Sequence, residues 1–431
     1  MTEEIKARIE SIRKGEVPNG YSEGVAGILP NDWTSKPLSE ISEVIAEQAG
    51  DDDYETLSIS AGIGFVNQAQ KFGKELSGKQ YEKYTVLRKG DFAYNKGNSK
   101  LYPQGCTYRL KERDEAAVPN VFECFRITEG CPEYYEQLFI SGFMNRQLTR
   151  KINHGVRDDG LLNLTDADFY STFLPVPPLA EQQKIAEILS SIDKIIKQYE
   201  CQKESLMRFK HSLTKRLFPN EKSTVPEIRF KGFSGAWKKD RLEDISERVI
   251  VGLATSVTPH YRETGVPILR NLNIKSNYLD DTDLLYLDPV YAASQKNKQI
   301  HTGDVITVHT GYIGISCVVP PKYNNCLTFT TLITTPKKDM INSDYLSQYL
   351  NSEQGLNSIM ALTTQGGRQN LNTGDFVNAP IIYPSLAEQV AISNTLKQID
   401  DEITLVLKMI EARKTQKNAI CNLLLTGLVR V

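Results

Sequence analysis

Residues 177–218 read PPLAEQQKIAEILSSIDKIIKQYECQKESLMRFKHSLTKRLF and determine how the chain is organised. Apolar side chains recur there at steps of three and four residues, at Ile185, Leu189, Ile192, Ile196, Tyr199, Leu206, Leu213 and Leu217. This spacing is typical of a helix that lays one seam against a partner helix. Pro177 and Pro178 suit the start of a helix and Pro219 stops it. The stretch therefore predicts a rod of about 58 Å at 1.5 Å per residue, which is long enough to act as a spacer.

The partner helix is in the same chain. Residues 385–427 read SLAEQVAISNTLKQIDDEITLVLKMIEARKTQKNAICNLLLTG and repeat the first stretch at a fixed offset, 388 − 181 = 207. The tetrapeptide Leu-Ala-Glu-Gln and the pair Ile-Asp recur at this offset, and so does the apolar seam. Both copies become polar at a similar height, at Lys203 and Lys210 in one and at Arg413 and Lys417 in the other. A polar layer in such a seam costs stability but fixes the register of the two helices.

A second echo precedes each long helix. Trp33–Ile45 resembles Trp237–Ile250, and the stretch that follows each of them is rich in β-branched and aromatic residues with frequent glycines. Tyr84–Tyr94 and Ile300–Ile315 are interpreted as strands joined by tight turns, at Gly90-Asp91 and Gly303-Asp304. One short helix follows in each copy, over 133–147 and 344–359. A Gly-x-Arg loop then leads to an Asn-Leu pair.

The chain is therefore predicted to contain one plan twice, a globular domain followed by a long helix. The fold class is α+β, with mixed strands and short helices in each domain. The expected boundaries are an N-terminal helix and linker (1–30), domain 1 (31–176), long helix 1 (177–222), domain 2 (223–382) and long helix 2 (383–431). By alignment through the two tryptophans, the N-terminal helix is expected to complete the far end of the second rod.

Composition narrows the function classes. The chain has 431 residues, 40% of them apolar, and a formal charge of −2. No apolar run is long enough to span a membrane and the first residues are charged, so neither a membrane span nor a signal peptide is expected. Seven scattered cysteines favour reduced thiols in a cytoplasm. The overall charge gives no support to nucleic-acid binding, so any such surface must be local.

Motifs of catalysis are absent from the sequence. The chain has no G-x-x-x-x-G-K-[ST] phosphate loop, no Asn-Pro-Pro-Tyr or Asp-Pro-Pro-Tyr tetrapeptide, and no histidines at metal-ligand spacing. The acidic clusters at 51–53 and 280–283 are interpreted as solvated loops rather than cation sites. A non-catalytic reader or scaffold without a metal is therefore expected.

Local basic and amide-rich segments occur at corresponding places of the two copies and supply the kinds of side chain that contact phosphates and base edges. The candidate DNA-binding residues are Asn95, Lys96, Asn98, Lys100, Arg146, Arg150, Arg157, His309, Thr310, Tyr312, Arg368 and Asn370. Arg157 and Arg368 are each expected to contact phosphate, although an ion pair that holds the loop is the structural alternative. The candidate scaffold residues of the long helices are Leu179, Gln182, Ile185, Leu189, Ile192, Ile196, Leu386, Gln389, Ile392, Leu396, Ile399 and Ile403.

These features together resemble the specificity subunit of type I restriction–modification systems, over essentially the whole chain. The resemblance implies two target-recognition domains, each reading one half of a split, asymmetric site in double-stranded DNA. It also implies an antiparallel helix pair with a pseudo-twofold repeat that sets the spacing of the half-sites. Two DNA adenine methyltransferase subunits and motor–nuclease restriction subunits would be the partners, and S-adenosylmethionine, ATP and Mg²⁺ would be bound by them. The alternatives are a tandem coiled-coil adaptor that binds only proteins and, less favoured, a stand-alone nuclease.

Overall fold

The computed structural model describes residues 3–69, 78–97, 102–152, 161–219, 223–362 and 370–431. The chain divides into two compact units, Met1–Gln198 with Ile410–Val431, and Tyr199–Met409. Each unit therefore contains one globular domain, the first half of the long helix that follows it, and the second half of the other long helix.

Eleven α-helices lie in the described residues. They are α1 (Glu3–Arg13), α2 (Leu38–Ile41), α3 (Pro132–Ile140), α4 (Asn145–Lys151), α5 (Asp166–Tyr170), α6 (Leu179–Leu217), α7 (Pro289–Ser294), α8 (Ser343–Leu350), α9 (Glu353–Leu362), α10 (Thr373–Phe376) and α11 (Leu386–Leu424).

The strands of the first unit precede α6. They are β1 (Tyr21–Gly24), β2 (Gly27–Pro30), β3 (Thr34–Pro37), β4 (Ser42–Val44), β5 (Leu57–Ser60), β6 (Gly64–Asn67), β7 (Thr85–Arg88), β8 (Phe92–Asn95), β9 (Cys106–Arg109), β10 (Glu115–Val118), β11 (Phe122–Ile127) and β12 (Phe173–Val176).

The strands of the second unit lie between α6 and α11. They are β13 (Lys238–Arg241), β14 (Ser246–Val251), β15 (Tyr261–Arg262), β16 (Val266–Arg270), β17 (Ile274–Lys275), β18 (Tyr278–Leu279), β19 (Leu285–Leu287), β20 (Val305–Val308), β21 (Ser316–Val318), β22 (Leu327–Phe329), β23 (Thr331–Pro336) and β24 (Pro380–Tyr383).

The two long helices are equal in length. Helices α6 and α11 each contain 39 residues, and both their starts and their ends differ by 207 positions (386 − 179 and 424 − 217). A proline stands shortly before each helix, and Pro219 follows the end of α6. Since proline suits the start of a helix but cannot continue one, the flanking residues account for these bounds.

Within each unit the start of one long helix packs beside the end of the other. In the first unit Ile185 and Leu189 of α6 share a buried core with Cys421 and Leu424 of α11. In the second unit Leu217 at the end of α6 shares a core with residues from the start of α11. The pairing of the two helices is therefore antiparallel in each unit.

Four of the candidate scaffold residues of the long helices are not fully buried. Leu179 is 53% exposed, and Leu386, Ile192 and Ile403 are only half-buried. Leu179 is the first residue of α6, so it lies where the seam begins and solvent reaches the helix end. Leu179 is therefore part of the long helix but not of its buried seam.

A four-stranded antiparallel sheet has the same strand order in both units. The order is β4-β11-β8-β9 in the first unit and β14-β23-β20-β21 in the second. In both units a two-stranded antiparallel ladder brings the first strand of the domain against the last strand before the long helix, as β3-β12 and β13-β24. This shared frame attaches each domain to the helix that follows it.

The remaining sheets differ between the units. The first unit adds the ladders β1-β2, β5-β6 and β7-β10. The second adds a mixed sheet, β15-β19-β16-β22, in which β16 and β22 are parallel, and the hairpin β17-β18. The two domains therefore share a frame and differ in what is built onto it.

Three local predictions need correction. Each single helix expected at 133–147 and 344–359 is two shorter helices, because Gly142 has a left-handed backbone (φ +74°) after α3 and the second stretch is interrupted at Asn351 and Ser352. The stretch Ile300–Ile315 contains one strand, β20, rather than two, because no strand precedes the Gly303-Asp304 turn within it, whereas β7 and β8 flank the Gly90-Asp91 turn as predicted and belong to different sheets. The segment interpreted as a linker before residue 30 contains the hairpin β1-β2.

Helix α1 and strand β1 each contact the segment that directly follows α11, near the place that the alignment through the tryptophans predicted for the N-terminal helix. The Arg8 guanidinium donates to the Leu428 carbonyl at 2.9 Å, and the hydroxyl of Tyr21 donates to the Gly427 carbonyl at 2.6 Å. No helix among the described residues is long and apolar enough to cross a membrane.

Candidate nucleic-acid interface

In both domains the end of a central strand pairs with the same later segment. After β8, the carbonyl of Lys96 accepts from the Leu162 amide at 2.9 Å, and after β20 the carbonyl of His309 accepts from the Leu371 amide at 3.0 Å. An adjacent bridge joins Gly97 to Leu161 in the first domain and Thr310 to Asn370 in the second. The candidate residues at the two strand ends therefore occupy equivalent places in the shared frame.

Lys96 is half-buried between two carboxylates. Its Nζ lies 2.8 Å from Glu123 and 2.5 Å from Asp166. Burial works against the charged form of Lys96, but its hydrogen bonds to Asp166 and Glu123 outweigh burial and raise its pKa. The neighbouring Asn95 side chain accepts from the Gly97 amide at 2.7 Å. In this arrangement the charge of Lys96 is neutralised within the domain, and Asn95 shapes the turn.

Helix α4 presents cations without acidic partners. Arg146 and Arg150 are exposed, and neither forms an ion pair with any residue that the structure describes. Lys151 donates to the Asp168 carbonyl at 3.1 Å and forms no ion pair with the residues that the structure describes. The adjacent loop reaches this helix through Gln104, whose amide donates to the Thr149 hydroxyl at 3.0 Å. Of the predicted cations that the structure describes, Arg146 and Arg150 are therefore the ones best placed to meet a phosphate.

The corresponding loop of the second domain is built differently. Thr310 is held by the side-chain amide of Asn271, which donates to its hydroxyl at 2.8 Å and to its carbonyl at 3.1 Å. The Nδ1 atom of His309 lies 2.5 Å from the carbonyl oxygen of Leu371. Tyr312 extends into solvent and is 86% exposed. The loop from His309 to Ile315 contains no lysine or arginine.

Four candidate residues lie outside the described residues. These are Asn98, Lys100, Arg157 and Arg368. The phosphate contact expected of the Gly-x-Arg loops therefore stays a prediction.

The acidic residue of each Leu-Ala-Glu-Gln motif binds an arginine that follows the end of the other long helix. Glu181 receives two hydrogen bonds from Arg430, at 2.7 and 2.8 Å, and one from the Trp33 indole at 2.9 Å. Glu388 receives two from Arg229, both at 2.7 Å. We call these two pairs the Glu–Arg clasps.

Both clasps lie at the start of a long helix and use buried carboxylates. The hydrogen bonds to Glu181 and then to Asp32 raise the pKa of Arg430, and the hydrogen bond to Glu388 raises that of Arg229. Bidentate pairs of this kind are stronger and more directional than neutral hydrogen bonds. They fix how the chain enters each helix.

The glutamine of each motif ties the helix to its own domain. The Gln182 side chain accepts from the Cys131 amide at 2.9 Å and donates to the Pro177 carbonyl at 2.9 Å. The Gln389 side chain accepts from the Asn342 amide at 2.7 Å and donates to the Pro384 carbonyl at 2.9 Å. Because Cys131 and Asn342 are the residues that precede α3 and α8, each glutamine joins the start of a long helix to the start of a domain helix.

A polar layer occurs once in each unit, with the same residue types. In the first unit Asp193 of α6 accepts from Lys417 of α11 at 2.7 Å and from Gln137 of α3 at 3.0 Å. The second unit repeats this triad with Asp400, Lys210 and Gln348, at 2.5 and 2.8 Å. The sequence predicted the lysines of these polar layers but not the aspartates and glutamines. The offset of 207 links Asp193 to Asp400, and this repeat was the signal that could have identified them.

The acidic cluster at 280–283 binds cationic and hydroxyl side chains of its own domain. Asp281 accepts from Lys322 at 2.6 Å and from the Tyr323 hydroxyl at 2.8 Å, and Asp283 pairs with Arg270 at 3.0 Å. In the part of the chain that the structure describes, no group of three or more His, Cys, Asp or Glu side chains could hold a metal ion.

Comparison with known proteins agrees with this architecture. The family described as the type I restriction modification DNA specificity domain matches the chain twice, over residues 30–206 and 235–412. A putative type I restriction enzyme MjaX specificity subunit from Methanocaldococcus jannaschii is 25% identical over 94% of this chain and 95% of its own length. The type I restriction enzyme EcoKI specificity subunit from Escherichia coli is 25% identical over 61% of this chain and 58% of its own length.

Solved structures share the fold. The S subunit of a type I restriction–modification system from M. genitalium superimposes with a TM-score of 0.55 at 12% identity, over 95% of this chain and 97% of its own. A chain solved in work on complex assembly and conformational transition of the type I R-M system superimposes with a TM-score of 0.54 at 18% identity, over 93% of this chain and 99% of its own length. Since the two family matches together cover most of the chain, it belongs to the type I restriction modification DNA specificity domain family.

Proposed function

We propose that this specificity subunit reads one bipartite, asymmetric site in double-stranded DNA, with one globular domain for each half. The supporting observation is the shared frame with different additions. The four-stranded sheet has one strand order in both domains, whereas the sheets attached to it differ. Two readers of this kind would approach DNA in the same way and select different bases.

The two long helices would form one antiparallel pair that relates the domains by a pseudo-twofold axis. Support comes from the triads Asp193–Lys417–Gln137 and Asp400–Lys210–Gln348. Such a repeat of residue types and partners is expected when the same contact is made twice about a twofold axis. A reader with twofold symmetry presents its two surfaces to successive grooves of a duplex.

Chemistry would belong to partner subunits. We expect two DNA adenine methyltransferase subunits and the motor–nuclease restriction subunits to assemble on this chain, with S-adenosylmethionine, ATP and Mg²⁺ bound by those partners. The chain itself would be non-catalytic. The support is the missing phosphate loop and methyltransferase tetrapeptide, together with the family of the chain.

Methylome sequencing tests the proposal directly. A host that expresses this chain with its methyltransferase should carry N6-methyladenine at one bipartite motif, and the motif should disappear when only this chain is deleted. The purified chain should transfer no methyl groups alone but should direct them when mixed with the methyltransferase and methyl donor. Methylation by the chain alone would contradict the non-catalytic role. A complex without salt-dependent affinity for DNA would instead support a protein adaptor.

A further inference from the structure

The loop between β20 and β21 is held firmly on both sides. The Val308 amide donates to the Ile315 carbonyl at 2.8 Å, and the Gly314 amide donates to the Val308 carbonyl at 3.1 Å. At the base of the hairpin the hydroxyls of Thr307 and Ser316 lie 2.8 Å apart. These bonds close the loop across its width.

Packing fixes the loop from below. Ile313 is buried in the core of the second unit. A Cβ added at Gly314 would lie 3.0 Å from Leu356 of α9, so the backbone already rests on that helix. Gly311 and Gly314 have left-handed backbones (φ +86° and +87°), which glycine adopts without strain. The backbone on either side of Tyr312 is therefore strongly constrained.

Tyr312 itself makes none of these contacts. Its side chain is 86% exposed, and its hydroxyl has no hydrogen-bond partner among the described residues. A large aromatic ring on a constrained backbone loses little conformational freedom when it binds a flat partner. The loop therefore holds an exposed aromatic ring in place before the second domain binds a partner.

The first domain does not repeat this feature. Gly97 and Thr310 occupy equivalent bridges, and the loop of the first domain that follows Gly97 contains a tyrosine, Tyr102, four residues before β9 as Tyr312 stands four residues before β21. The ring of Tyr102 is half-buried and rests beside Gly62 rather than extending into solvent. The clasps and polar layers, in contrast, use the same residue types in both units. A contact with a partner subunit that binds twice should be repeated in the same way, whereas a contact with one half of an asymmetric DNA site should not. Among the described residues only the loop of the second domain presents its tyrosine to solvent, and this difference favours DNA as the partner of Tyr312.

We propose that Tyr312 stacks on a base of the half-site read by the second domain and contributes to the selection of that half-site. This inference rests on the proposed function. Aromatic side chains that stack on bases, or insert beside a base step, are a general means of binding DNA. Thr310 and His309, held at the strand end beside it, would set the depth at which the ring meets the duplex.

The test uses the complete complex of this chain with its methyltransferase and a duplex that carries the methylated motif found in the host. Tyr312→Ala should weaken binding by roughly 5- to 150-fold, the range that loss of one base–aromatic stack produces. Tyr312→Phe keeps the ring and should bind within about twofold of wild type. Tyr278→Ala is the matched control, because Tyr278 is the other strongly exposed tyrosine of the second unit and lies beside α11.

An abasic scan locates the contact. Removing single bases across the half-site should weaken the wild-type complex at one position and leave the Tyr312→Ala complex unaffected there, since the contact is already lost. Unchanged binding by Tyr312→Ala, with the bipartite motif still methylated, would overturn this inference and leave the proposed function standing. Failure of Tyr312→Ala to assemble with the methyltransferase would assign the ring to a protein contact instead. If the wild-type complex methylates no bipartite motif, both proposals fail.

Discussion

Lengthening the helix pair tests whether it measures the distance between the two half-sites. Seven residues would be inserted into both long helices, after Glu200 in α6 and after Leu407 in α11. The first insertion point lies between Asp193 and Lys210, which are 17 positions apart (210 − 193). The second lies between their counterparts on α11, Asp400 and Lys417, which have the same separation (417 − 400). Each polar layer joins residues on one side of the insertions only, so both layers should survive.

The expected magnitude follows from helix geometry. Seven residues add two turns at 3.5 residues per turn and keep the seam in phase. The rods should lengthen by about 10 Å, which is close to three base pairs at about 3.4 Å each. The domains must also rotate around the duplex, so we expect the spacer of the recognised motif to grow by about two or three base pairs. The half-site sequences should stay the same, because no loop of either domain is altered.

The methylated motif in cells that carry each variant is the measurement. A four-residue insertion in both helices is the first control, since it puts the seam out of phase and should reduce stability or partner assembly. A seven-residue insertion in one helix alone is the second, because the unextended partner cannot follow it. An active double insertion that still modifies the original spacing would show that the helices join the domains without measuring anything.

Two further predictions concern the clasps and the exposed cations. Arg229→Ala leaves the buried carboxylate of Glu388 without its cation and should lower the free energy of unfolding by roughly 3–5 kcal/mol. Arg430→Ala should lower the free energy of unfolding by only roughly 1–3 kcal/mol. The reason is that Glu181 keeps its hydrogen bond from the Trp33 indole and that the Arg430–Glu181 pair is more exposed to solvent than the Arg229–Glu388 pair. Equal losses of stability for the two variants in thermal unfolding would contradict this difference. Arg146→Ala and Arg150→Ala should each weaken DNA binding by the complex about equally for all sequences and reduce the salt slope by about 1. If both folded variants keep the wild-type dependence of DNA binding on salt concentration, α4 does not contact DNA.

The long helices could be predicted because their signal is local and periodic. Seam residues such as Ile185 and Leu189 recur at helical spacing. Prolines mark the start of both long helices and the end of the first, so the sequence indicates the helices and most of their bounds. The internal repeat then identified the partner helix without any knowledge of contacts. The strand order inside each domain had no such signal, because β7 and β8 are neighbours in the chain but pair with strands elsewhere.

Contacts between distant residues account for what the sequence could not predict. The carboxylates that neutralise Lys96 come from β11 and α5, and only the register of the folded sheet brings Glu123 beside it. The arginines of the clasps lie far along the chain from their partners, with Arg430 and Glu181 separated by 249 positions. The Leu-Ala-Glu-Gln motif was therefore recognised as a marker of the helix start, while its role in fastening that start was visible only in the structure.

The formal charge of −2 for the whole chain is a poor guide to its affinity for DNA, and the distribution of charge explains why. Carboxylates such as Glu181 and Asp193 are paired with cations inside the fold, so these pairs contribute little field outside it. Helix α4 contains Arg146, Arg150 and Lys151 with no acid among its seven residues. Fields from exposed charges fade over about 8 Å at physiological salt. A phosphate near α4 would therefore respond to these three cations rather than to the sum over 431 residues.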